Sequence, residues 1–176
     1  MTVVWEIAQL GNAVLRQNAL PVEFPLTSSI KSIINTMLAL MKEGQGVGIA
    51  APQIEESLQI IVVASNPTPR YPKAPQMEPV VMINPSFSQL SDETDMGWEG
   101  CLSIPGIRAK VPRLTSIEVT YFCQQSQQHK VTFTDFVARV FQHEYDHLQG
   151  MVYLDRVVDN RDIVTEKMYL RSIDAA

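Results

Sequence analysis

Three features are scarce in this 176-residue chain, and each scarcity disfavours a class of protein. It has only two cysteines, Cys101 and Cys123, and because the N-terminus lacks a basic region followed by an apolar stretch, a disulfide is disfavoured. No apolar run approaches the roughly 18 residues that span a bilayer, so no membrane contact is predicted. The chain carries a net charge of −5 and no run of lysines and arginines, which disfavours direct reading of nucleic acid. We therefore expect a single cytoplasmic domain over residues 1–176.

Hydrophobic patterning predicts helices towards both ends of the chain and strands in its middle. Apolar residues at helical spacing predict helices over residues 30–42 and from about 134 to 148, each followed by a glycine that ends it. Shorter helices are expected over 12–18 and 160–171. Strands are expected over 58–64 and 79–84, with the proline-rich segment 65–78 as a loop, and a hairpin over 117–124 and 130–133. This layout predicts an α+β fold.

The second long helix carries His143-Glu144-Tyr145-Asp146-His147. Residues four apart on a helix lie on one face, so both imidazoles can bind one metal ion with Glu144 beside them. The chain has three histidines in all, and two of them flank this glutamate. We therefore predict a metal site that activates water.

Two side chains, Glu166 and Cys101, compete for the place of the third ligand. One class of peptidase takes it from a histidine six residues after the second one, but this chain has Tyr153 there. A zinc peptidase of another class would use a glutamate on a later helix, for which Glu166 is the candidate. Cys101 is the remaining candidate. A structural-metal, peptide-binding module without catalysis is a further alternative, and it would need four protein ligands, with His129 and Cys123 as the spare donors.

Three separated motifs resemble peptide deformylase. They are Gly46-Val47-Gly48-Ile49-Ala50-Ala51-Pro52-Gln53, Glu99-Gly100-Cys101-Leu102-Ser103 and Gln142-His143-Glu144-Tyr145-Asp146-His147. They occur in the order that the family has, and the resemblance extends over roughly residues 7–158. It implies antiparallel or mixed β-sheets packed around a central helix that carries the His-Glu-x-x-His motif.

The resemblance also implies the chemistry and the residues that perform it. The reaction is hydrolysis of the N-formyl group from the N-terminal formyl-methionine of newly made polypeptides, with release of formate. The metal ligands fall on Cys101, His143 and His147, and the catalytic carboxylate falls on Glu144. The groups that stabilise the oxyanion fall on the Gln53 amide and the Leu102 backbone N–H, and Gly48 falls where the family pairs with the substrate backbone.

The substrate methionine needs an apolar pocket near the metal. Phe136 and Val140 share a helical face with the first histidine, and Val47 lies in the first motif, so these three are the pocket candidates. Arg139 departs from the apolar residue expected beside them, and a position at the pocket mouth would suit it. Arg108 is a candidate for contacts with peptide carbonyls, with a solvated charge as the alternative.

Two imidazoles and a thiolate suit several divalent metals. The resemblance implies Fe2+ in the cell, with Zn2+, Ni2+ or Co2+ in the purified protein. The expected partners are N-formylmethionyl nascent peptides. A transient ribosome contact through Arg161, Lys167 and Arg171 stays open beside plain solvation of these side chains.

Overall fold

The computed structural model describes residues 6–174. Its elements are the helices α1 (Ser28–Glu43), α2 (Asp135–Leu148) and α3 (Glu166–Asp174), and the strands β1 (Gly48–Ala50), β2 (Ile60–Ser65), β3 (Met77–Gln89), β4 (Thr94–Cys101), β5 (Ile104–Leu114), β6 (Ser116–Phe122), β7 (Gln128–Thr134) and β8 (Ile163–Thr165). No helix in this part of the chain combines the length and the hydropathy that crossing a bilayer requires.

The strands form two antiparallel sheets. One has the order β1-β2-β3-β6-β7, and the other has the order β4-β5-β8. In the described residues β1 pairs only with β2, so one edge of β1 faces away from the sheet. The coarse prediction of an α+β fold with antiparallel sheets is confirmed.

Helix α2 contacts both sheets, because it packs on β1, β2, β6 and β7 of the larger sheet and on β5 of the smaller one. Its apolar face contributes Ala138, Phe141 and Leu148 to a buried cluster that includes Ile61 and Val119. Burying these side chains on one face leaves the histidines of the motif directed towards the smaller sheet. Two side chains of β4, Glu99 and Cys101, consequently lie next to His143 and His147 of α2.

The two long helices were predicted close to their observed bounds. Helix α1 begins after Thr27, whose side chain accepts a hydrogen bond from the Ile30 backbone N–H at 3.2 Å, and it ends at Gly44. Helix α2 follows Thr134 and ends before Gln149. The β6–β7 hairpin is also confirmed, with its turn at residues 123–127.

Two predictions of local structure were wrong, and one hairpin was not predicted. The segment 12–18 contains only one 3-10 turn, Ala13–Arg16. The last helix begins at Glu166 rather than at 160, because residues 160–162 form a 3-10 turn and Ile163–Thr165 pair with β5 as β8. Residues 94–114, to which the sequence analysis assigned no strand, form the β4–β5 hairpin that carries Cys101.

Candidate metal centre and active site

The structure brings together the thiol and the two imidazoles that the motifs predict as ligands. Cys101 is the last residue of β4, and His143 and His147 lie one turn apart on α2. One potential ligand atom from each residue lies within 4.8 Å of the others. Glu166 lies outside this cluster and accepts a hydrogen bond from Arg108, so the zinc peptidase that would use Glu166 is not supported.

The hydrogen bonds of the imidazoles suit a metal ion. The Nδ1 atom of His143 lies 2.8 Å from the Glu99 carboxylate, which leaves Nε2 directed at the cluster. The Nε2 atom of His147 lies 3.4 Å from Cys101 Sγ. Burial lowers the pKa of His147 well below its usual value, which favours the neutral imidazole that binds a metal. The donor set of one thiolate and two imidazoles fits zinc, iron, cobalt or nickel.

Glu144 lies beside the ligands and is almost completely buried. Its Oε2 atom has no hydrogen-bond partner among residues 6–174. Burial raises the pKa of Glu144 to about 7, so this carboxyl exchanges a proton readily near neutral pH. Gly48 lies against it so closely that a Cβ atom on Gly48 would be 2.4 Å from Glu144 Oε1. The first motif therefore needs a glycine there to make room for the carboxylate.

The amide of Gln53 is fixed in one orientation. Its Oε1 accepts a hydrogen bond from the Ala50 backbone N–H at 2.8 Å. Its Nε2 is consequently directed at Cys101 Sγ, at 3.3 Å, and at Ser103 Oγ, at 3.1 Å. A buried amide that is held at both ends presents its N–H groups to the metal cluster without reorganisation.

Leu102 lies in the two-residue turn between β4 and β5. Within the described part of the chain, its backbone N–H donates to no protein acceptor. The Leu102 N–H, which was predicted to stabilise the oxyanion, is therefore available to donate a hydrogen bond.

A pocket opens beside the ligands. Its walls include all five residues that the sequence analysis assigned to the substrate: Val47, Gly48, Phe136, Val140 and Arg108. Arg108 is 4% exposed, and its guanidinium donates to the Tyr71 hydroxyl and to Glu166, each at 2.7 Å. The alternative of a solvated charge at Arg108 is therefore wrong.

Arg139 also lines the pocket, but its guanidinium is not at a solvated mouth. It is 8% exposed and donates to the backbone oxygens of Asp95 and Val111, at 2.7 and 2.9 Å, and to Glu99 at 3.0 Å. A Cβ atom on Gly97 would be 2.6 Å from Arg139 Cζ. The arginine therefore occupies space that a larger residue on β4 would fill, and it ties α2 to β4 and β5.

Glu99, which orients the ring of His143, was not among the predicted site residues. Both oxygens of Glu99 accept hydrogen bonds from Arg113, at 2.9 Å each, and Arg113 also donates to Asp146 at 2.6 Å. Burial alone would raise the pKa of Glu99, but the charge and hydrogen bonds of Arg113 and His143 outweigh it, and the pKa falls well below its usual range. The signal in the sequence was the position of Glu99, two residues before Cys101 in the second motif.

The comparison with known proteins agrees with this geometry. The family model described as polypeptide deformylase matches residues 4–162. The chain is 50% identical to peptide deformylase 2 of Nostoc sp. over 163 residues, which cover 93% of this chain and 91% of that protein. The prediction of a peptide deformylase is confirmed.

Solved structures agree as well. The class I type b peptide deformylase of Acinetobacter baumannii with Met-Ala-Ser bound superposes with a TM-score of 0.85 at 42% identity, covering 89% of this chain and all of that one. Peptide deformylase of Thermotoga maritima superposes with a TM-score of 0.77 at 34% identity, covering 88% and 98% of the two chains. With its sequence, its fold and its ligand cluster in agreement, the chain belongs to the peptide deformylase family.

Proposed function

We propose that this protein removes the formyl group from the N-terminal methionine of nascent polypeptides, with Cys101, His143 and His147 as metal ligands and Glu144 as the proton carrier. The observation that supports this assignment best is the meeting of three ligand atoms beside a buried carboxylate oxygen that has no partner in the described residues. One domain over residues 1–176 carries the activity. Because formylated peptides arise at the ribosome, we place the reaction in the cytoplasm, with any ribosome contact transient.

Cys101, His143 and His147 would hold the divalent metal, which when bound would lower the pKa of a water molecule enough to make it a nucleophile at neutral pH. Fe2+ is the proposed metal in the cell, and Zn2+, Ni2+ or Co2+ can replace it in the purified protein, because the same three donors suit all four. Glu99 accepts from Nδ1 of His143 and so keeps Nε2 available as the ligand atom.

Glu144 moves the proton. It accepts a proton from the attacking water and delivers it to the amine that leaves when the formyl C–N bond breaks. A pKa of about 7 suits both steps, because the carboxyl then holds and releases the proton with similar ease. Its buried, unpartnered Oε2 is the proposed acceptor atom.

Gln53 and Leu102 stabilise the negative charge that develops on the formyl oxygen. Each contributes an N–H donor, from the Gln53 side chain and from the Leu102 backbone, and such a donor typically contributes about 3 kcal/mol to transition-state stabilisation. The bond from Ala50 holds the Gln53 amide in place before substrate arrives.

The peptide binds along the free edge of β1. Gly48 pairs with Val63 on one side, which leaves its other side to an added strand of substrate. Val47, Phe136 and Val140 receive the methionine side chain in the pocket. Arg108 contributes through the pocket wall, since its guanidinium is already bonded to protein groups.

The two cysteines provide a matched test of the ligand assignment. Cys101→Ser is expected to lose the metal and the release of formate from formyl-Met-Ala-Ser, because a hydroxyl is a poor ligand for these metals. Cys123→Ser is the control, since Cys123 lies outside the ligand cluster. Full metal content and full activity in Cys101→Ser would exclude the proposed site.

The metal proposal has its own test. Protein purified without oxygen is expected to contain iron and to lose activity over hours in air, whereas a nickel-loaded sample keeps it. Iron-free but fully active protein from anaerobic cells would contradict the proposal.

A further inference from the structure

Helix α3 is joined to the pocket by the guanidinium of Arg108, which lines it. Arg108 of β5 donates from Nη1 to the Tyr71 hydroxyl and from Nη2 to Glu166, the first residue of α3, each at 2.7 Å. These partners lie 37 residues before and 58 residues after Arg108 in the chain. One arginine therefore joins the proline-rich loop, the smaller sheet and the last helix.

Aromatic contacts reinforce the same junction. The Tyr169 hydroxyl donates to the Arg70 backbone oxygen at 2.7 Å, and the Tyr169 ring lies 5.4 Å from the Trp98 ring. The Arg108 guanidinium lies 5.5 Å from the ring centroids of both Tyr71 and Tyr169. Arg70, Tyr71, Trp98 and Arg108 all line the pocket, and we call these four residues the outer wall.

The outer wall also contacts residues on the other side of the pocket and next to the ligands. Arg70 donates to the backbone oxygens of Gly44 and Gln45, at 2.8 and 2.9 Å, just after α1. The Tyr71 ring lies 5.0 Å from the ring of Phe136, one of the proposed methionine contacts. A Cβ atom on Gly100 would lie 2.4 Å from Arg108 Cζ, so the guanidinium rests on the backbone next to Cys101. A displacement of Arg108 would therefore affect both the pocket wall and, through Tyr71, the proline-rich loop.

We propose that α3 is a working part of the peptide site, with Glu166 and Tyr169 as positioning residues that hold Arg108 and Tyr71 in the outer wall. Neither residue takes part in bond breaking, and their effect is on how tightly the peptide binds. The inference rests on the proposed function, because the groove must hold a formylated peptide.

Glu166→Gln tests the proposal, because it keeps the size of the side chain and removes its charge. We expect the KM for formyl-Met-Ala-Ser to rise about tenfold, as the loss of a charged hydrogen-bond partner predicts, while kcat changes less than about twofold. The Kd of the product Met-Ala-Ser, measured by calorimetry on the metal-loaded protein, should rise by a similar factor. Tyr71→Phe should raise the KM and the Kd in the same way. In the double variant the increase should be smaller than the product of the two single increases, because both substitutions act on Arg108.

Asp174→Asn is the matched control, since it removes one negative charge from an exposed position of the same helix. The proposal is overturned if Glu166→Gln and Asp174→Asn have the same KM and the same Kd for Met-Ala-Ser. It is also overturned if kcat and metal content fall together in Glu166→Gln, because that pattern assigns the residue to the metal centre. A wild-type protein that releases no formate would refute the proposed function, and the Met-Ala-Ser titrations would still decide the role of α3.

Discussion

Gly48→Ala is the most direct test of how closely the first motif fits the catalytic carboxylate. The added methyl group would lie 2.4 Å from Glu144 Oε1 and 2.8 Å from its Cδ and Cγ atoms. Ordinary contacts begin at 3.4 Å, so the carboxylate must move by about 1 Å. A misplacement of about 1 Å can reduce a reaction rate about 100-fold. Because Glu144 Oε2 has no partner to lose within the described residues, this movement should cost little stability.

The assay is formate release from formyl-Met-Ala-Ser, with metal content and the thermal unfolding midpoint measured on the same samples. We expect kcat/KM to fall about 100-fold while metal content and the unfolding midpoint stay close to wild type. Gly46→Ala is the control, since the nearest atoms to its new methyl group lie at 3.4 Å. Wild-type activity in Gly48→Ala would refute the idea that the position of Glu144 depends on this glycine.

Three further predictions concern residues around the ligands. Gln53→Ala should lower kcat by about 10² to 10³ with the metal retained, because one oxyanion donor is lost, and a fall below tenfold would contradict that role. Glu99→Gln should weaken metal binding about 10- to 100-fold in competition with a chelator, because His143 loses its orienting partner, and unchanged affinity would contradict the assignment. Since the folded-state pKa of Glu99 is depressed, its stabilisation is complete above the unfolded value near 4.5 and is lost as the pH falls towards the folded pKa. Metal-free wild type should therefore lose more stability than Glu99→Gln in urea titrations between pH 6 and pH 3, and parallel curves would argue against the linkage.

The sequence predicted the elements whose pattern is local. Helices α1 and α2 carry apolar residues at a spacing of three and four, and a glycine follows each of them. The β6–β7 hairpin alternates apolar and polar residues around a polar turn. In these segments short-range spacing alone selects the conformation, so no knowledge of the partner was needed.

The elements that depend on distant pairing were missed or misplaced. Strands β4 and β5 contain glycines and prolines that read as a loop, and their strand conformation follows from pairing with each other over seven registered positions. Residues 163–165 have a strand conformation because they pair with β5. Helix α3 consequently begins only after them. Neither pairing can be predicted from the local propensities of the residues.

The ligand cluster was predictable, and its supporting charges were not. The spacing of the two histidines predicts a metal site, and the resemblance to peptide deformylase added Cys101 as the third ligand. Nothing in the sequence next to Arg113 or Arg139 shows that each of them faces a buried carboxylate. Their partners are separated from them by 14 and 40 residues.

The number of hydrogen-bond donors around residue 99 explains why it is a glutamate. Glu99 Oε1 accepts from Arg113 Nε and Arg139 Nη1, and Oε2 accepts from Arg113 Nη2 and His143 Nδ1, all within 3.0 Å. Four donors need two oxygens that only accept, and a glutamine would turn an N–H group towards two of them. Buried ions of this kind add little net stability compared with well-packed apolar residues. The cluster is therefore better explained by the ring orientation that it imposes on His143 than by the stability of the fold.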